Sequence, residues 1–169
     1  RTAMTMTPPL AGRRALITGS SKGVGLAAAR IFAAQGAQVV MHANTTVESA
    51  RAAAADIGKR VLGVIAADLS QPGAGARLFA EADQLAGGQL DIVVNNAGIY
   101  LASEIHARDA DWHAAWAQVL QVNLLAVADI CRAAVSGFVR RGGGSLINIA
   151  SRAGFRGDDG DHTAYAASK

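Results

Sequence analysis

The stretch RRALITGSSKGVGLAAARIFAAQG, residues 13–36, decides the fold class of this chain. Its first part, RRALIT (13–18), contains a short apolar run that is typical of a buried strand. Its last part, GLAAARIFAAQG (25–36), predicts a helix that ends at Gly36. The glycines between the two predict a tight turn, because glycine accepts backbone conformations that other residues avoid. A strand, a turn and a helix in this order begin a βαβ unit, from which parallel sheets are built.

The same alternation of strand and helix continues along the chain. Short apolar runs predict further strands at 37–43, 60–68, 90–98 and 144–151. Helical patterns lie at 45–58, 70–88 and about 109–140, and another helix is expected from Thr163. This order predicts one α/β domain with a doubly wound, Rossmann-like parallel sheet and helices on both faces. We assign residues 12–169 to that domain and residues 1–11 to an N-terminal extension or tag.

Composition and charge exclude several classes of function. The net charge is only +3 and basic residues are interspersed with acidic ones, so no nucleic-acid partner is predicted. No apolar stretch reaches about 18 uninterrupted residues, so no membrane-spanning helix and no membrane partner are expected. The histidines show no spacing typical of metal ligands, and we predict no metal site. Cys131 is the single cysteine, which favours a reducing compartment and hence the cytoplasm.

The glycine-rich turn is the first candidate binding site. It has the spacing Gly19-x3-Gly23-x-Gly25, directly between a predicted strand and a predicted helix. The N-terminus of a helix offers free N–H groups and a positive dipole end, and glycines let a phosphate approach the backbone. A nucleotide pyrophosphate would fit there. A tight turn with no ligand remains the alternative, since a single glycine cluster is a weak signal.

Further motifs follow the turn along the chain: NNAG (95–98), Asn123, Ser151 and Tyr165-x3-Lys169. In this order and at these spacings the chain resembles the short-chain dehydrogenase/reductase family, and in particular its 3-oxoacyl-reductase-like members. The resemblance runs from about Gly12 to Lys169. It implies a sheet of about seven strands and an enzyme that oxidises alcohols or reduces carbonyls with NAD(P). Because the family's domain continues through a helix and two more strands, we expect the 169 residues to be an incomplete domain.

The resemblance also implies a set of cofactor-binding residues. Gly19, Gly23 and Gly25 would hold the pyrophosphate, and Asp68 would touch the adenine ring. The NNAG motif would lie beside the cofactor; alternatively, its asparagines stabilise a strand end, and Asp68 merely flanks a helix. The full implied set is Gly19, Ser21, Lys22, Gly23, Val24, Gly25, Asn44, Asp68, Asn95, Ala97, Gly98, Tyr165 and Lys169.

Four residues carry the implied catalysis: Asn123, Ser151, Tyr165 and Lys169. Tyr165 and Lys169 would lie on one face of a helix, about 6 Å apart along its axis. A free phenol has a pKa of about 10, and a nearby ammonium favours its ionised form, so such a pair suits acid–base chemistry. By resemblance, Tyr165 is the acid/base and Lys169 tunes it and holds the nicotinamide ribose. Ser151 would bind the substrate oxygen, and Asn123 would hold a water that passes protons toward Lys169.

The choice of nicotinamide depends on the end of the second strand. Family members specific for NAD usually carry an acid there, for the ribose hydroxyls of adenosine. This chain has Ala43, followed by Asn44, so no acid would repel a 2′-phosphate. Lys22 could pair with that phosphate, or simply project into water. We therefore expect NADP(H) to be preferred, with NAD(H) possible.

The sequence also indicates a mode of assembly and a substrate class. The helix at 109–140 carries more apolar residues than one sheet face needs, which favours a homodimer or homotetramer. The substrate would be a small carbonyl compound or secondary alcohol. The loop GFRGDDGDH (154–162) lies where it would enter; it indicates either a polar or cationic substrate group or a solvated loop. A non-catalytic nucleotide-binding or scaffold fragment is the rival function.

Overall fold

The computed structural model describes residues 7–169, so residues 1–6 of the predicted N-terminal extension lie outside the described part. Within it the chain forms one sheet of five strands: β1 (Arg14–Ile17), β2 (Gln38–Ala43), β3 (Val61–Ala66), β4 (Ile92–Asn95) and β5 (Ser145–Asn148). All five lie in the predicted runs. The observed strands are shorter than the runs because the residues after each strand bend into the loops of the candidate site.

Seven α-helices connect or follow these strands: α1 (Gly23–Ala34), α2 (Glu48–Ile57), α3 (Ala74–Leu85), α4 (Asp109–Leu120), α5 (Ala126–Arg141), α6 (Ala153–Arg156) and α7 (Thr163–Ala167). A π-helical segment, Gln121–Leu125, joins α4 to α5. The three together form the long helix that the sequence predicts. Segments of π-helix are rare and occur frequently at functional sites, so residues 121–125 are candidates for a functional role.

The predicted start of the third helix at Ser70 is wrong, since α3 begins at Ala74. The carboxylate of Asp68 accepts hydrogen bonds from the Ser70 backbone at 3.0 Å and from the Gln71 side chain at 3.2 Å. These bonds form a turn that competes with helix, as aspartate side chains commonly do. Gly73 then takes the left-handed conformation, with φ of 73°, immediately before α3.

The sheet is parallel throughout, with the strand order β3-β2-β1-β4-β5. The chain therefore runs outward from β1 to β3, returns, and continues on the other side of β1. In sheets of this kind the crevice for a ligand lies at the carboxyl ends of the strands where the order reverses, here β1 and β4. The doubly wound architecture predicted from the sequence is confirmed.

The core has two layers, one on each face of the sheet. On β1, Leu16 faces the helices α3 and α5, whereas Ala15 and Ile17 face α1. On β2, Val40 joins the first layer, and its neighbours Val39 and Met41 join the second. Successive side chains of a strand point to opposite faces, so strands buried on both faces need the continuous apolar runs seen here.

The long helix Asp109–Arg141 is the one helical run among residues 7–169 that is long and apolar enough to cross a membrane by length and composition. Core helices pass the same test, and 39% of its most apolar window is buried within the fold. Val122, Ala126 and Ile130 belong to the first core layer. Four large apolar side chains of the run are exposed: Leu124, Leu125, Val135 and Val139. The predicted self-association depends on this exposed surface.

Candidate nucleotide and catalytic site

A cavity of about 410 Å³ opens at the carboxyl ends of the central strands. It lies where the strand order reverses, and residues from four loops line it. Seven of the predicted cofactor residues are among them: Gly19, Ser21, Lys22, Asn44, Asp68, Ala97 and Gly98. The structure thus brings together residues that are far apart in the sequence, as a single nucleotide cleft requires.

The glycine turn has the backbone geometry that its sequence predicts. Gly19 and Gly23 take left-handed conformations, with φ of 63° and 57°. A Cβ atom on Gly19 would lie 2.9 Å from the Cα of Ala97. One on Gly25 would collide with the carbonyl oxygen of Gly19 and with the side chain of Asn96. Gly19 and Gly25 are therefore required for close packing, and Gly19 and Gly23 for the left-handed backbone conformation of the turn.

The start of α1 presents unpaired backbone donors beside the cavity. Leu26 is the first residue of the helix whose N–H finds a helical acceptor, the carbonyl of Lys22 at 3.2 Å. Within the described chain, no acceptor meets the N–H groups of Gly23, Val24 and Gly25, and no side chain caps the helix. Helix N-termini in this state bind phosphate. The donors present here fit the pyrophosphate of a dinucleotide.

Hydrogen bonds fasten the NNAG motif to the glycine turn. The Thr18 hydroxyl accepts from the N–H of Asn96 at 3.0 Å and of Ala97 at 2.9 Å. The Asn96 side chain donates to the carbonyls of Thr18 and Gly19 at 3.0 and 3.2 Å. The predicted stabilisation of a strand end by asparagine is therefore present. Ala97 and Gly98 also line the cavity, and their contact with a cofactor stays a prediction.

Asn95 points away from the cavity. Its amide donates to the Asn148 Oδ1 at 2.8 Å and to the Cys131 Sγ at 3.4 Å. The side chain is buried and ties β4 to β5. A direct contact of this side chain with the cofactor stays a prediction, and its observed contacts are structural.

The rim of the cavity carries the groups that bear on nucleotide choice. Ala43 is buried at the end of β2, so no carboxylate occupies that position. Lys22 and Asn44 are exposed and line the cavity. Asp68 lies at the same rim, where hydrogen bonds from Ser70 keep the pKa of its carboxyl below the usual value. Asp68 is thus an ionised turn former that also faces the cleft.

Three residues of the predicted catalytic set, Asn123, Tyr165 and Lys169, lie close together at the end of α7 beside the NNAG loop. The Lys169 Nζ atom lies 5.9 Å from the centre of the Tyr165 ring and donates to the carbonyl of Ile149 at 3.1 Å. Burial lowers the pKa of the Lys169 ammonium. A Cβ atom on Gly98 would lie 3.3 Å from both the Lys169 Nζ and the Asn123 Oδ1. Gly98 therefore connects the nucleotide cavity to the Tyr165–Lys169 pair.

Asn123 lies in the π-helical segment and is buried. Its Oδ1 accepts from the N–H of Ile99 at 2.8 Å, and its Nδ2 donates to the Ile99 carbonyl at 3.0 Å and to the Ser168 hydroxyl at 2.9 Å. The side chain thus ties the loop after β4 to the end of α7. Both hydrogens of the Asn123 amide are thus donated within the protein. The water contact predicted for Asn123 stays a prediction.

Ser151 lies between β5 and the short helix α6, two residues before the helix begins. Its hydroxyl oxygen accepts a hydrogen bond from the Ala153 N–H at 3.1 Å. A serine hydroxyl can donate as well as accept, so its hydrogen remains available to an incoming oxygen. Its predicted role as a substrate ligand stays a prediction.

An aromatic wall beside Tyr165 was not predicted from the sequence. Tyr100 stacks on His162 with ring centres 3.8 Å apart, and its ring also makes an edge contact with Tyr165 at 4.8 Å. His162 is held by Asp159, whose Oδ1 lies 2.6 Å from the histidine Nδ1. Partial desolvation and the nearby carboxylates of Asp158 and Asp159 raise the pKa of Tyr100. Part of the acidic loop is therefore engaged in placing an aromatic surface.

His42 is the second residue that the sequence analysis missed. It is buried, it lines the nucleotide cavity and both of its ring nitrogens are hydrogen-bonded. One signal was available, since His42 is the only ionisable residue in the otherwise apolar strand AQVVMHA (37–43). No motif contains it, and only the fold shows its neighbours.

Comparisons with known proteins agree with this geometry. The family model described as short chain dehydrogenase matches residues 13–169. Nodulation protein G from Rhizobium sp. (strain N33) is 42% identical over 161 residues, covering 95% of this chain and 62% of that protein. The 3-oxoacyl-[acyl-carrier-protein] reductase of Chlamydia muridarum is 30% identical, covering 97% of this chain and 65% of that protein.

Solved structures give the same result. A crystal structure of 3-oxoacyl (acyl-carrier-protein) reductase from Agrobacterium tumefaciens C58 with NADP bound superimposes with a TM-score of 0.83 at 34% identity, covering 94% of this chain and 60% of that one. A short chain dehydrogenase from Burkholderia cenocepacia J2315 in complex with NADP gives 0.82 at 36% identity, covering 95% and 64%. The chain spans 62% of the length of the first relative. On this evidence the chain belongs to the short-chain dehydrogenase/reductase family.

Proposed function

We propose that the protein is an NADP(H)-dependent oxidoreductase that interconverts a small carbonyl compound and its secondary alcohol, as a 3-oxoacyl reductase does. The observation that carries this proposal is the continuity at Gly98, which lines the nucleotide cavity and packs against Lys169 and Asn123. A nicotinamide bound in the cavity would then end beside the Tyr165–Lys169 pair. The relatives named as reductases and dehydrogenases support the same reaction class.

The chain's own residues would hold the cofactor along the cleft. The free N–H groups of Gly23, Val24 and Gly25 bind the pyrophosphate, and Ser21 lies beside them at the cavity wall. Asp68, at the far rim, faces the adenine. Bound there, the nicotinamide supplies the hydride, and the protein supplies orientation and proton transfer.

The catalytic set would act on the substrate oxygen. Tyr165 donates a proton to the carbonyl oxygen in reduction, or accepts one from the hydroxyl in oxidation. Ser151 donates its free hydrogen bond to the same oxygen. Lys169 provides positive charge near the Tyr165 ring, and burial lowers the pKa of its ammonium. Asn123 positions the loop after β4 against α7.

NADP(H) is the proposed cofactor rather than NAD(H). The buried Ala43 removes the carboxylate that would bind ribose hydroxyls and repel a phosphate, and the exposed Lys22 offers a cation at the rim. Two similar solved proteins were crystallised with NADP. We also propose cytoplasmic location and a homodimer or homotetramer, the latter from the exposed apolar side chains of the long helix.

The direct experiment measures NADPH consumption by the complete protein with a panel of small ketones and 3-oxoacyl thioesters. Reduction of at least one panel member, with NADPH used in preference to NADH, is the expected result. The rival is a nucleotide-binding module without catalysis. Tight NADPH binding with no turnover on any panel member would select the rival.

A further inference from the structure

The imidazole of His42 joins two walls of the nucleotide cavity. Its Nδ1 accepts a hydrogen bond from the N–H of Gly19 at 3.0 Å, and its Nε2 lies 2.9 Å from the carbonyl oxygen of Ala67. Gly19 begins the glycine turn, whereas Ala67 precedes Asp68 in the loop after β3. The residue is only 2% exposed. One buried ring therefore links the pyrophosphate side of the cleft to its adenine side.

The two contacts define the protonation state of the ring. The N–H of Gly19 can only donate, so Nδ1 must be an acceptor without a proton. The carbonyl of Ala67 can only accept, so Nε2 must carry the hydrogen. This is the neutral Nε2–H tautomer. A protonated ring would point an N–H at the N–H of Gly19 and lose that bond. Burial acts in the same direction, because it lowers the pKa of His42.

The glycine turn depends on His42 through its backbone as well. The Ser20 N–H donates to the His42 carbonyl at 2.9 Å, and the His42 N–H donates to the Ser20 hydroxyl at 3.0 Å. On the opposite side, the Gly19 carbonyl accepts from Asn96 at 3.2 Å. Gly19 is thus held between β2 and β4, and among residues 7–169 the His42 ring is the one hydrogen-bond acceptor of its N–H.

We propose that His42 is a positioning residue for the cofactor, whose neutral ring holds the glycine turn and the loop at Ala67 at the separation that NADP(H) requires, so that protonation of this ring weakens cofactor binding. This inference rests on the proposed function, since it takes the cavity to be the NADP(H) site. His42 touches no reacting atom. It acts through the backbone of Gly19 and Ala67.

The charged groups around the cavity do not offset a proton on this ring. Lys22, from the glycine turn, lines the cavity and would oppose a second positive charge there. Asp68, from the loop after β3, is the carboxylate that lines it, and its oxygens bind Ser70 and Gln71 rather than the imidazole. No hydrogen bond in the described chain gives the imidazolium form a carboxylate partner.

Two substitutions separate the two ring contacts. In His42→Asn the amide oxygen takes the place of Nδ1 and still accepts from Gly19, but nothing reaches Ala67. In His42→Gln the amide nitrogen takes the place of Nε2 and still donates to Ala67, while the acceptor for Gly19 is lost. Neither side chain titrates between about pH 5 and 8. Since the Gly19 contact lies on the phosphate side, His42→Gln should weaken binding more at neutral pH, by about tenfold.

The experiment is calorimetric titration of the purified protein with NADP⁺ between about pH 5 and 8, for wild type and both variants. The cofactor's own 2′-phosphate titrates near pH 6, and the variants report that contribution alone. Wild-type affinity should fall more toward pH 5 than the affinity of His42→Asn, because only the wild-type ring can take up a proton in this range. Equal pH dependence in the two proteins would overturn the inference and leave the proposed function standing.

A second measurement does not depend on the variants folding or on cofactor binding. Nitrogen–proton correlation NMR of the wild-type imidazoles identifies the tautomer and the titration of His42. The Nε2–H form, persisting below the ordinary pKa of about 6.5, is expected. A Nδ1–H tautomer, or titration at the ordinary value, would overturn the inference. Absence of NADP⁺ binding at every pH would instead remove the proposed function, and this inference with it.

Discussion

The part of the candidate site around the glycine turn, here the cofactor half, and the part around Tyr165, here the substrate half, are built differently. Around the glycine turn, Thr18, Ser20 and His42 are at most 2% exposed, and each is hydrogen-bonded to backbone. On the substrate side, Tyr100 is 51% exposed and Phe155 is 92% exposed. The cofactor half is therefore an extension of the core, whereas the substrate half presents exposed aromatic side chains on the surface.

This difference has an energetic consequence. Buried polar groups that lose a partner cost about 1–3 kcal/mol each, so changes in the cofactor half should affect folding and binding together. Exposed contacts contribute less to stability, because water replaces them. Changes in the substrate half should therefore alter turnover and leave the fold intact.

The largest effect is expected where the two halves meet, at Tyr165. Tyr165→Phe keeps the ring and its edge contact with Tyr100 but removes the transferable proton. General acid–base catalysis is worth about 10²–10⁴-fold, so turnover should fall by at least that factor while NADPH affinity is nearly unchanged. Steady-state rates of the complete protein and a fluorescence titration with NADPH measure the two quantities.

Tyr100→Phe is the matched control for that substitution. It removes a neighbouring hydroxyl and keeps the stack on His162. It should lose far less turnover than Tyr165→Phe. Near wild-type turnover in a folded Tyr165→Phe protein would show that the proposed mechanism is wrong, and that the glycine turn serves a binding module only.

A pair of glycine substitutions tests the energetic contrast directly. A Cβ on Gly25 would collide with the backbone of Gly19, whereas one on Gly160 would meet only the Ile105 side chain at 3.6 Å. Gly25→Ala should lower the free energy of unfolding by about 1–3 kcal/mol, the usual cost of overpacking. Gly160→Ala should change it by less than about 0.5 kcal/mol. Urea unfolding measures both, and equal losses would contradict the comparison.

The proposed preference for NADP(H) rests in part on Lys22, an exposed side chain of the cofactor half. Lys22→Ala should weaken NADPH binding about tenfold, the size of one charge-assisted contact, and leave NADH binding unchanged. Parallel titrations with the two cofactors give the ratio. Arg30→Ala is a suitable control, because Arg30 is a cation of the same helix region that lies outside the cavity lining. Equal loss of both cofactors would assign Lys22 to the pyrophosphate instead.

The fold could be predicted in large part from the sequence. Strands buried on both faces, such as β1 and β4, appear as continuous apolar runs, and each of the five was found. The start of α3 was missed because the Asp68 carboxylate accepts a hydrogen bond from the Ser70 N–H and so forms a turn there. The sequence around Ser70 fits a helix equally well.

The site divides in the same way. Gly19, Tyr165 and Lys169 belong to short motifs that can be recognised by their spacing in the sequence. His42 and Tyr100 do not, since their partners lie far along the chain and become neighbours only when the sheet forms. Motif spacing thus identifies residues that act through local geometry, and it misses those that act through the strand order.

The smallest effect is expected from the aromatic wall. His162→Ala removes the stack on Tyr100 and the contact with Asp159, so Tyr100 loses its support beside Tyr165. Aromatic pairs contribute about 0.5–1.5 kcal/mol, which corresponds to a loss of turnover of about two- to tenfold. His162→Phe keeps a ring for the stack without a hydrogen bond to Asp159, and it should retain most of the activity. Measurement of kcat, KM and the NADPH Kd in both variants separates the effects on the two halves of the site. A change in Kd as large as the change in kcat would show that the substrate half is not independent of the cofactor half.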